Sequence, residues 1–375
     1  MLLIKNARLV DMAGTWKEKR DILIKDGRFL EILPCIEEKA DYEMLDAGGR
    51  LVTPGFIESH CHLGLTDCDG QDINEKTDPI HPALRAIDAL DFDSADFTAA
   101  LKTGVTTLAV GPGSSNLIGG TFAVIKSAGT SAVSRIVKEE LCIKMALGEN
   151  PKGNYGPKGK MPATRMGETA LIRDTLYKAM DYRTRIKEGK PGSFDLNMQS
   201  LMRVFDGMPV KIHVHKTNDI MAAIRIGEEF GLNYTLEHCT EGYMLLKELK
   251  KAGVISILGP IAGGKGKLEL AGKRYDAPAL FEREGLPFAI TTDSGVIPME
   301  GLLMQVCLLI KHGLSEMGAY KGLTEYAAKA IGLWDEIGSI EPGKQADLVI
   351  WDEAPFSTRA KAGTVMIAGK VWYSA

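Results

Sequence analysis

The sequence predicts an α/β protein, a (β/α)8 TIM-type barrel with a small β-sandwich formed from both chain ends. Three observations lead there. Apolar, β-rich runs alternate with helical stretches through the middle of the chain, the pattern of a parallel sheet covered by helices. Both ends instead carry short strands separated by hairpin turns. Five of the seven histidines stand at the ends of predicted strands, the side on which this fold assembles its sites.

The first part of the sandwich is read over residues 1–52: LLIKNARLV, then DILIKDGRFLEIL with a hairpin signal at Lys25-Asp26-Gly27, then YEMLDAGGRLV. Residues 336–375 return to that character with ADLVIWDE and TVMIAGKVWYS, turning at Ala368-Gly369-Lys370. The barrel is expected between them, over residues 53–335.

Eight runs supply the barrel strands: 55–62, 104–110, 120–128, 140–148, 210–215, 233–239, 254–259 and 287–294. Several lead into good helices, such as TNDIMAAIRIGEEFG, where Thr217 can cap the first turn and Gly231 can end the last. The longest excursion, 149–197, opens with a Gly/Pro/Lys-rich stretch read as a loop at the barrel mouth, a substrate-side wall. GPGSSNLIGGTF (111–122) is Gly-rich but lacks the Lys-Ser/Thr ending of a phosphate loop and does not open a helix. It reads as a tight loop over the site, and with no GxGxxG after the first strand a dinucleotide site is disfavoured.

A net charge of −4 over 375 residues, with no Lys/Arg run, argues against a nucleic-acid or membrane surface and favours a small-molecule partner. The amino-terminal MLLIKNARLVDMAGTW places Lys5 and Arg8 inside its apolar stretch, unlike a signal peptide, and no run reaches the ~18 apolar residues of a membrane span. A soluble, cytoplasmic protein is expected, with the oligomeric state open and a homo-oligomer compatible. The six cysteines (Cys35, Cys61, Cys68, Cys142, Cys239, Cys307) form no CxxC pair and are expected reduced. Cys61 and Cys239 adjoin histidines of interest and are read as small apolar neighbours.

His60 and His62 close the first barrel run, and a spacing of two in a strand turns both imidazoles to one face, where a single metal ion can take both. His213 and His215 repeat that spacing at the fifth strand, and His238 ends the sixth. His81 and His312 lie in polar or helical context, and His312 is given a structural role at a helix C-terminus. Asp293 closes the eighth strand in FAITTDSG. A carboxylate there can ligate a metal, and it can take a proton from an attacking water and hand it to a leaving nitrogen.

PGFIESHCH, the His-x-His of the fifth strand, LEH at the sixth and TTDS at the eighth together resemble the amidohydrolase superfamily, and within it the imidazolonepropionase-related metal-dependent amidohydrolases. The resemblance runs over nearly the whole chain, including GSIEPGKQADLVIWD (338–352) at the return to the terminal strands. It implies that His60, His62 and Asp293 hold the more buried divalent metal, and that His213 and His238 hold a second where one is present. His213 is preferred over His215 as the fifth-strand ligand, leaving His215 to the substrate. At the fourth strand Lys144 resembles the lysine that becomes carboxylated and bridges two cations; Glu149 is the alternative, and a mononuclear site with neither is the third. The implied cofactor is one or two divalent ions, zinc foremost, with manganese, iron or cobalt also suited to such ligands.

The implied activity is hydrolysis of a C–N bond, amide or cyclic amide, in a small polar substrate, with metal-activated water as nucleophile, Asp293 as proton shuttle and His238 also catalytic. A dipeptide is within that class. Deamination of a heterocycle is the nearest alternative, and a non-catalytic barrel homologue the reading from another class. Asn150, Lys152, Tyr155 and Arg165 after strand four, with Lys265 and Lys267 after strand seven, are candidate substrate contacts, since cationic groups beside a metal suit a carboxylate.

Overall fold

A computed structural model describes residues 1–10, 16–66, 72–190 and 192–375. Cys68 and residues 11–15 lie outside the described residues. The two chain ends meet in one eight-stranded sheet. Its strands are β1 (Leu2–Val10), β2 (Trp16–Lys25), β3 (Arg28–Leu33), β4 (Glu43–Asp46) and β5 (Leu51–Pro54), then β14 (Leu348–Glu353), β15 (Lys361–Ile367) and β16 (Lys370–Ser374). They run in the order β16-β15-β14-β5-β1-β2-β3, with β4 also paired to β1. The hairpin read at Asp26-Gly27 is formed, both residues taking positive φ (51° and 77°), as a two-residue turn matching the strand twist requires.

The eight runs assigned to the barrel are all strands: β6 (Phe56–Cys61), β7 (Val105–Val110), β8 (Ile118–Lys126), β9 (Ile136–Ala146), β10 (Val210–Val214), β11 (Tyr234–His238), β12 (Ser256–Leu258) and β13 (Phe288–Ile290). They form a second sheet in chain order from β6 to β13. Its two edges approach at the mouth, where His62 N–H donates to the Ser294 carbonyl (2.9 Å) and Thr291 Oγ1 donates to the His60 carbonyl (2.7 Å). The sheet is thus a nearly closed barrel. Every residue of β6, β7 and β8 is buried, as expected of strands with helices or side chains on both faces.

The strands are not all parallel. β8 pairs antiparallel with both β7 and β9. A parallel return needs a crossover of a dozen or more residues, and only residues 111–117 separate β7 from β8. The Gly-rich stretch read as a loop over the site is therefore partly strand. The excursion after β9 is also more regular than expected: Glu149–Tyr155 is helical and Arg165–Lys187 is a 23-residue helix. At Thr217–Phe230 the cap differs from the reading. Thr217 is the first helical residue, Glu241 Oε2 accepts its N–H (2.9 Å), and Gly231 ends the helix at φ 61°.

The barrel is fixed to the terminal sheet through β5, β6 and β14. Gly55 N–H donates to the Asp347 carbonyl (3.0 Å). Lys126 Nζ, buried, reaches Asp347 Oδ2 at 2.6 Å and Thr107 Oγ1 at 3.0 Å. Trp351, buried against Phe56 with ring centroids 5.3 Å apart, donates its indole N–H to Thr53 Oγ1 (2.9 Å). No helix among the described residues is long and apolar enough to cross a membrane.

Candidate metal centre

His60 is the penultimate residue of β6 and His62 lies just beyond its end; His213 is on β10 with His215 just past its end; His238 closes β11 and Asp293 follows β13. The mouth thus gathers the histidines into one cluster. Ring centroids are 5.4 Å apart for His60 and His62, 5.2 Å for His60 and His238, 4.5 Å for His213 and His238, and 4.6 Å for His213 and His215. His238 (φ 66°), Cys239 (φ 42°) and Asp293 (φ 52°) take the left-handed region, which costs about 1–3 kcal/mol for a side-chain-bearing residue. The strain re-aims the β11 and β13 ends into the mouth.

Hydrogen bonds on the far side of each ring decide what faces inward. A carbonyl can only accept, so His62 Nδ1 donates to Gly111 O (2.6 Å) and His238 Nδ1 donates to Gly259 O (2.6 Å). His60 Nδ1 lies 2.5 Å from Glu237 Oε2, and that carboxylate also takes Lys211 Nζ at 3.2 Å. The Nε2 atoms of all three rings are then turned toward one another's space, the outer-shell arrangement typical of metal-ligating histidines. Burial, as the largest cause, pushes the pKa of His60, His213 and His215 well down and that of His238 down, favouring the neutral, ligating imidazole.

Asp293 Oδ1 sits 3.1 Å from His62 Nε2 and 3.8 Å from His60 Nε2, yet has no hydrogen-bond partner. Burial alone would raise its pKa, but the neighbouring His238 and His62 outweigh it and hold the carboxyl well below the usual range. A buried carboxylate oxygen facing buried imidazole lone pairs is poorly satisfied without a cation. His60, His238 and Asp293 bring potential ligand atoms within 4.8 Å of one another. The donor set fits a divalent ion of the zinc type.

Lys144 Nζ is fully inside, 3.2 Å from His60 Nε2, and burial lowers its pKa to about 8. Glu149 stands away from this group: it starts the helix Glu149–Tyr155, and its Oε2 accepts the Glu269 N–H at 3.3 Å. His213 Nε2 lies 3.5 Å from Asn150 Nδ2, so Asn150 reaches the cluster. Lys267 Nζ in turn holds Asn150 Oδ1 at 2.5 Å.

Other predicted contacts are spent elsewhere. Tyr155 is buried, its hydroxyl donating to the Asp78 carbonyl (2.7 Å) and meeting the Asn116 side chain (2.7 Å), which pins a neighbouring segment. Lys265 Nζ donates to Ala271 O (2.9 Å) within its own loop. Arg165 is a bidentate partner of Asp219 (2.6 and 2.9 Å), although it lines the cavity beside the cluster. His312 stands at a helix C-cap and stacks on Tyr275, centroids 5.1 Å apart. Cys61 and Cys239 are buried, with burial pushing Cys239 up to about 12 and Cys61 well above its ordinary value, the inert state of a core thiol.

Sequence reasoning missed Glu237, Glu269 and Lys211. Glu237 precedes His238 in a strand, where alternation would send the two side chains to opposite faces, but the left-handed turn at His238 (φ 66°) lets both reach His60. Its partner His60 is 177 residues away.

A nearly closed barrel with a buried His/Asp cluster at one mouth defines the class, a barrel protein whose mouth gathers groups that could hold a metal ion. The chain belongs to the amidohydrolase family, whose model matches residues 51–372. Among solved structures, an amidohydrolase from Thermotoga maritima is 36% identical with a TM-score of 0.95, each chain covered in full. Amidohydrolase tasK of Hapsidospora irregularis is 27% identical over 93% of this chain, which spans only 39% of that protein's length. An imidazolonepropionase of Mesorhizobium japonicum is 26% identical over 98% of this chain and 96% of its own.

Proposed function

We propose that this protein is a metal-dependent hydrolase of a C–N bond, amide or cyclic amide, in a small polar substrate. The observation that carries the reading is Asp293 Oδ1, buried without a hydrogen-bond partner and held 3.1 Å from Nε2 of His62. His60, His62, His238 and Asp293 would hold a divalent ion, zinc foremost, and the ion would supply the positive charge that polarises a carbonyl and makes a water a stronger acid. Asp293, kept ionised, is placed to accept the proton of the attacking water and return it to the departing nitrogen. Glu237 and the carbonyls of Gly111 and Gly259 fix the ring orientations that this requires. Lys144, part-neutral at working pH, is available for carboxylation beside His60.

A cavity of about 400 Å³ is lined by Glu149, Lys152, Arg165, Lys216, Leu268 and Glu269. Arg165 is paired with Asp219 and Lys216 with Glu241, so Lys152 is the cation offered to a substrate carboxylate. The relation to an imidazolonepropionase and the family supports a cyclic amide, an N-acyl amino acid or a dipeptide. The test is a screen of those three classes with chelator-stripped and zinc-reloaded protein, reading ring-opened or cleaved acid. Turnover restored by zinc is expected. Ammonia release from heterocyclic amines without any amide cleavage would transfer the reading to a deaminase, and no turnover in any class would remove it.

A further inference from the structure

We infer that the hollow between the terminal sheet and the helix Glu316–Leu323 binds a zwitterionic α-amino acid with an apolar side chain. It is a cavity of about 280 Å³ lined by Arg8, Leu51, Glu316, Tyr320, Ala354 and Phe356. It shares no residue with the metal centre or with the cavity beside it. Small-molecule sites favour the joints between structural units, where an apolar lining meets a few polar groups that fix orientation.

Strand alternation places Arg8. Its neighbours Ala7 and Leu9 turn into the apolar core of the terminal sheet, so Arg8 takes the other face. There it stands in register with Leu51, which is 3% exposed and packs into the core shared with the barrel. A guanidinium thus occupies the barrel-facing side of the sheet where that face emerges from cover. Opposite, Ser315 caps the helix by accepting the Gly318 N–H (2.8 Å). This puts Glu316 in the first turn and Tyr320 one turn later on the same side. Arg8 and Glu316 are both exposed.

The apolar lining is held from behind. Tyr320 is 1% exposed and its ring centroid lies 4.5 Å from that of Phe356. Phe356 is backed in turn by the buried Phe56, the two rings nearly parallel (6°) with centroids 6.4 Å apart. The Tyr320 hydroxyl feels both charges: burial raises its pKa most, Glu316 raises it further and Arg8 opposes them. The cation and the anion therefore flank one point of an aromatic surface. A guanidinium takes a carboxylate in a bidentate pair, a carboxylate takes an ammonium, and the two rings are left for an aliphatic or aromatic side chain. A ligand with one charge leaves one of the three groups unused.

This binding needs neither turnover nor a metal, so it stands or falls apart from the hydrolase reading. The experiment titrates the full-length, chelator-stripped protein with L-leucine and L-phenylalanine by calorimetry and by melting temperature, beside the His60→Ala/His62→Ala variant, which separates the hollow from the barrel mouth. One equivalent is expected to bind to both proteins. Arg8→Gln and Glu316→Gln should each weaken the affinity about tenfold or more, the scale of one lost charged hydrogen bond, with melting temperatures showing that the variants fold. Ala354→Trp, at an exposed position, should fill the hollow and abolish binding. N-acetyl-L-leucine, without the ammonium, and L-leucinamide, without the carboxylate, should also bind about tenfold or more weakly. Neither heat nor a rise in melting temperature with either amino acid at millimolar concentration would overturn the proposal. So would an affinity unchanged in the Arg8, Glu316 and Ala354 variants, or N-acetyl-L-leucine or L-leucinamide binding as tightly as L-leucine.

Discussion

His62 Nε2 and Asp293 Oδ1 face each other at 3.1 Å, with the ring turned by its other nitrogen, which lies 2.6 Å from the Gly111 carbonyl. Asp293→Asn keeps the size of the side chain and removes its capacity to carry a proton. With a substrate found by screening, kcat should fall by at least the ~10²–10⁴-fold typical of losing a general acid–base group, with bound metal reduced far less. Steady-state kinetics beside elemental analysis checks this; turnover near the wild-type rate would remove Asp293 from the proton pathway.

Lys144 and Glu149 separate in the structure, and their variants should separate in solution. Lys144→Ala removes the amine 3.2 Å from His60 Nε2 and should abolish activity or lower the metal stoichiometry, with partial recovery on adding a short carboxylic acid. Glu149→Gln should keep the metal bound near His60. Metal stripped by Glu149→Gln and retained by Lys144→Ala would reverse the assignment.

Glu168 offers a test in pH. It is fully buried, and burial raises its carboxyl from 4.5 to about 8 even though Gly148 N–H donates to it. The folded state therefore binds a proton that the unfolded chain releases between those values, and stability should fall as pH rises through that window, by at most about 1.4 kcal/mol per pH unit. Glu168→Gln can keep the Gly148 contact and should flatten this slope, gaining most over wild type near pH 8. Urea unfolding at pH 5, 6.5 and 8 reads it; parallel slopes for both proteins would contradict the buried-carboxyl account.

Lys126 and Asp347 form a buried pair at 2.6 Å between the barrel and the terminal sheet. Lys126→Ala leaves Asp347 buried with its Ala368 N–H contact alone, and should destabilise by about 3–5 kcal/mol. Metal affinity should not change. A loss under ~1 kcal/mol in chemical unfolding would mean that water reaches the pair.

All eight barrel strands were legible in the sequence because each is a short apolar run ended by turn residues, and the ligand-type histidines because a spacing of two puts both rings on one face. The direction of β8 was not, although a signal existed: the seven residues 111–117 between β7 and β8 are too few for the helix a parallel return needs. Glu269 was hidden in a run of Gly and Lys that reads as solvated loop, since nothing local distinguishes a surface glutamate from one folded inward against a strand 54 residues earlier. Tyr155 was misread for the opposite reason. A tyrosine in a polar loop suggests a ligand contact, but Tyr155 is 0% exposed and its hydroxyl is taken up by the Asp78 carbonyl and the Asn116 side chain.

The pairing of β5 with β14 sets the order in which the protein can be made. On the ribosome β5 emerges early, and its neighbour in the sheet follows only after the entire barrel has been synthesised, an interval of roughly 15–60 s at about 5–20 residues per second. Through that interval Ile4, Ile22, Ile24 and Val52 lack the cover that Leu348, Ile350 and Met366 later provide. The nascent chain therefore carries an unfinished β-edge and an open apolar face while the barrel behind it closes.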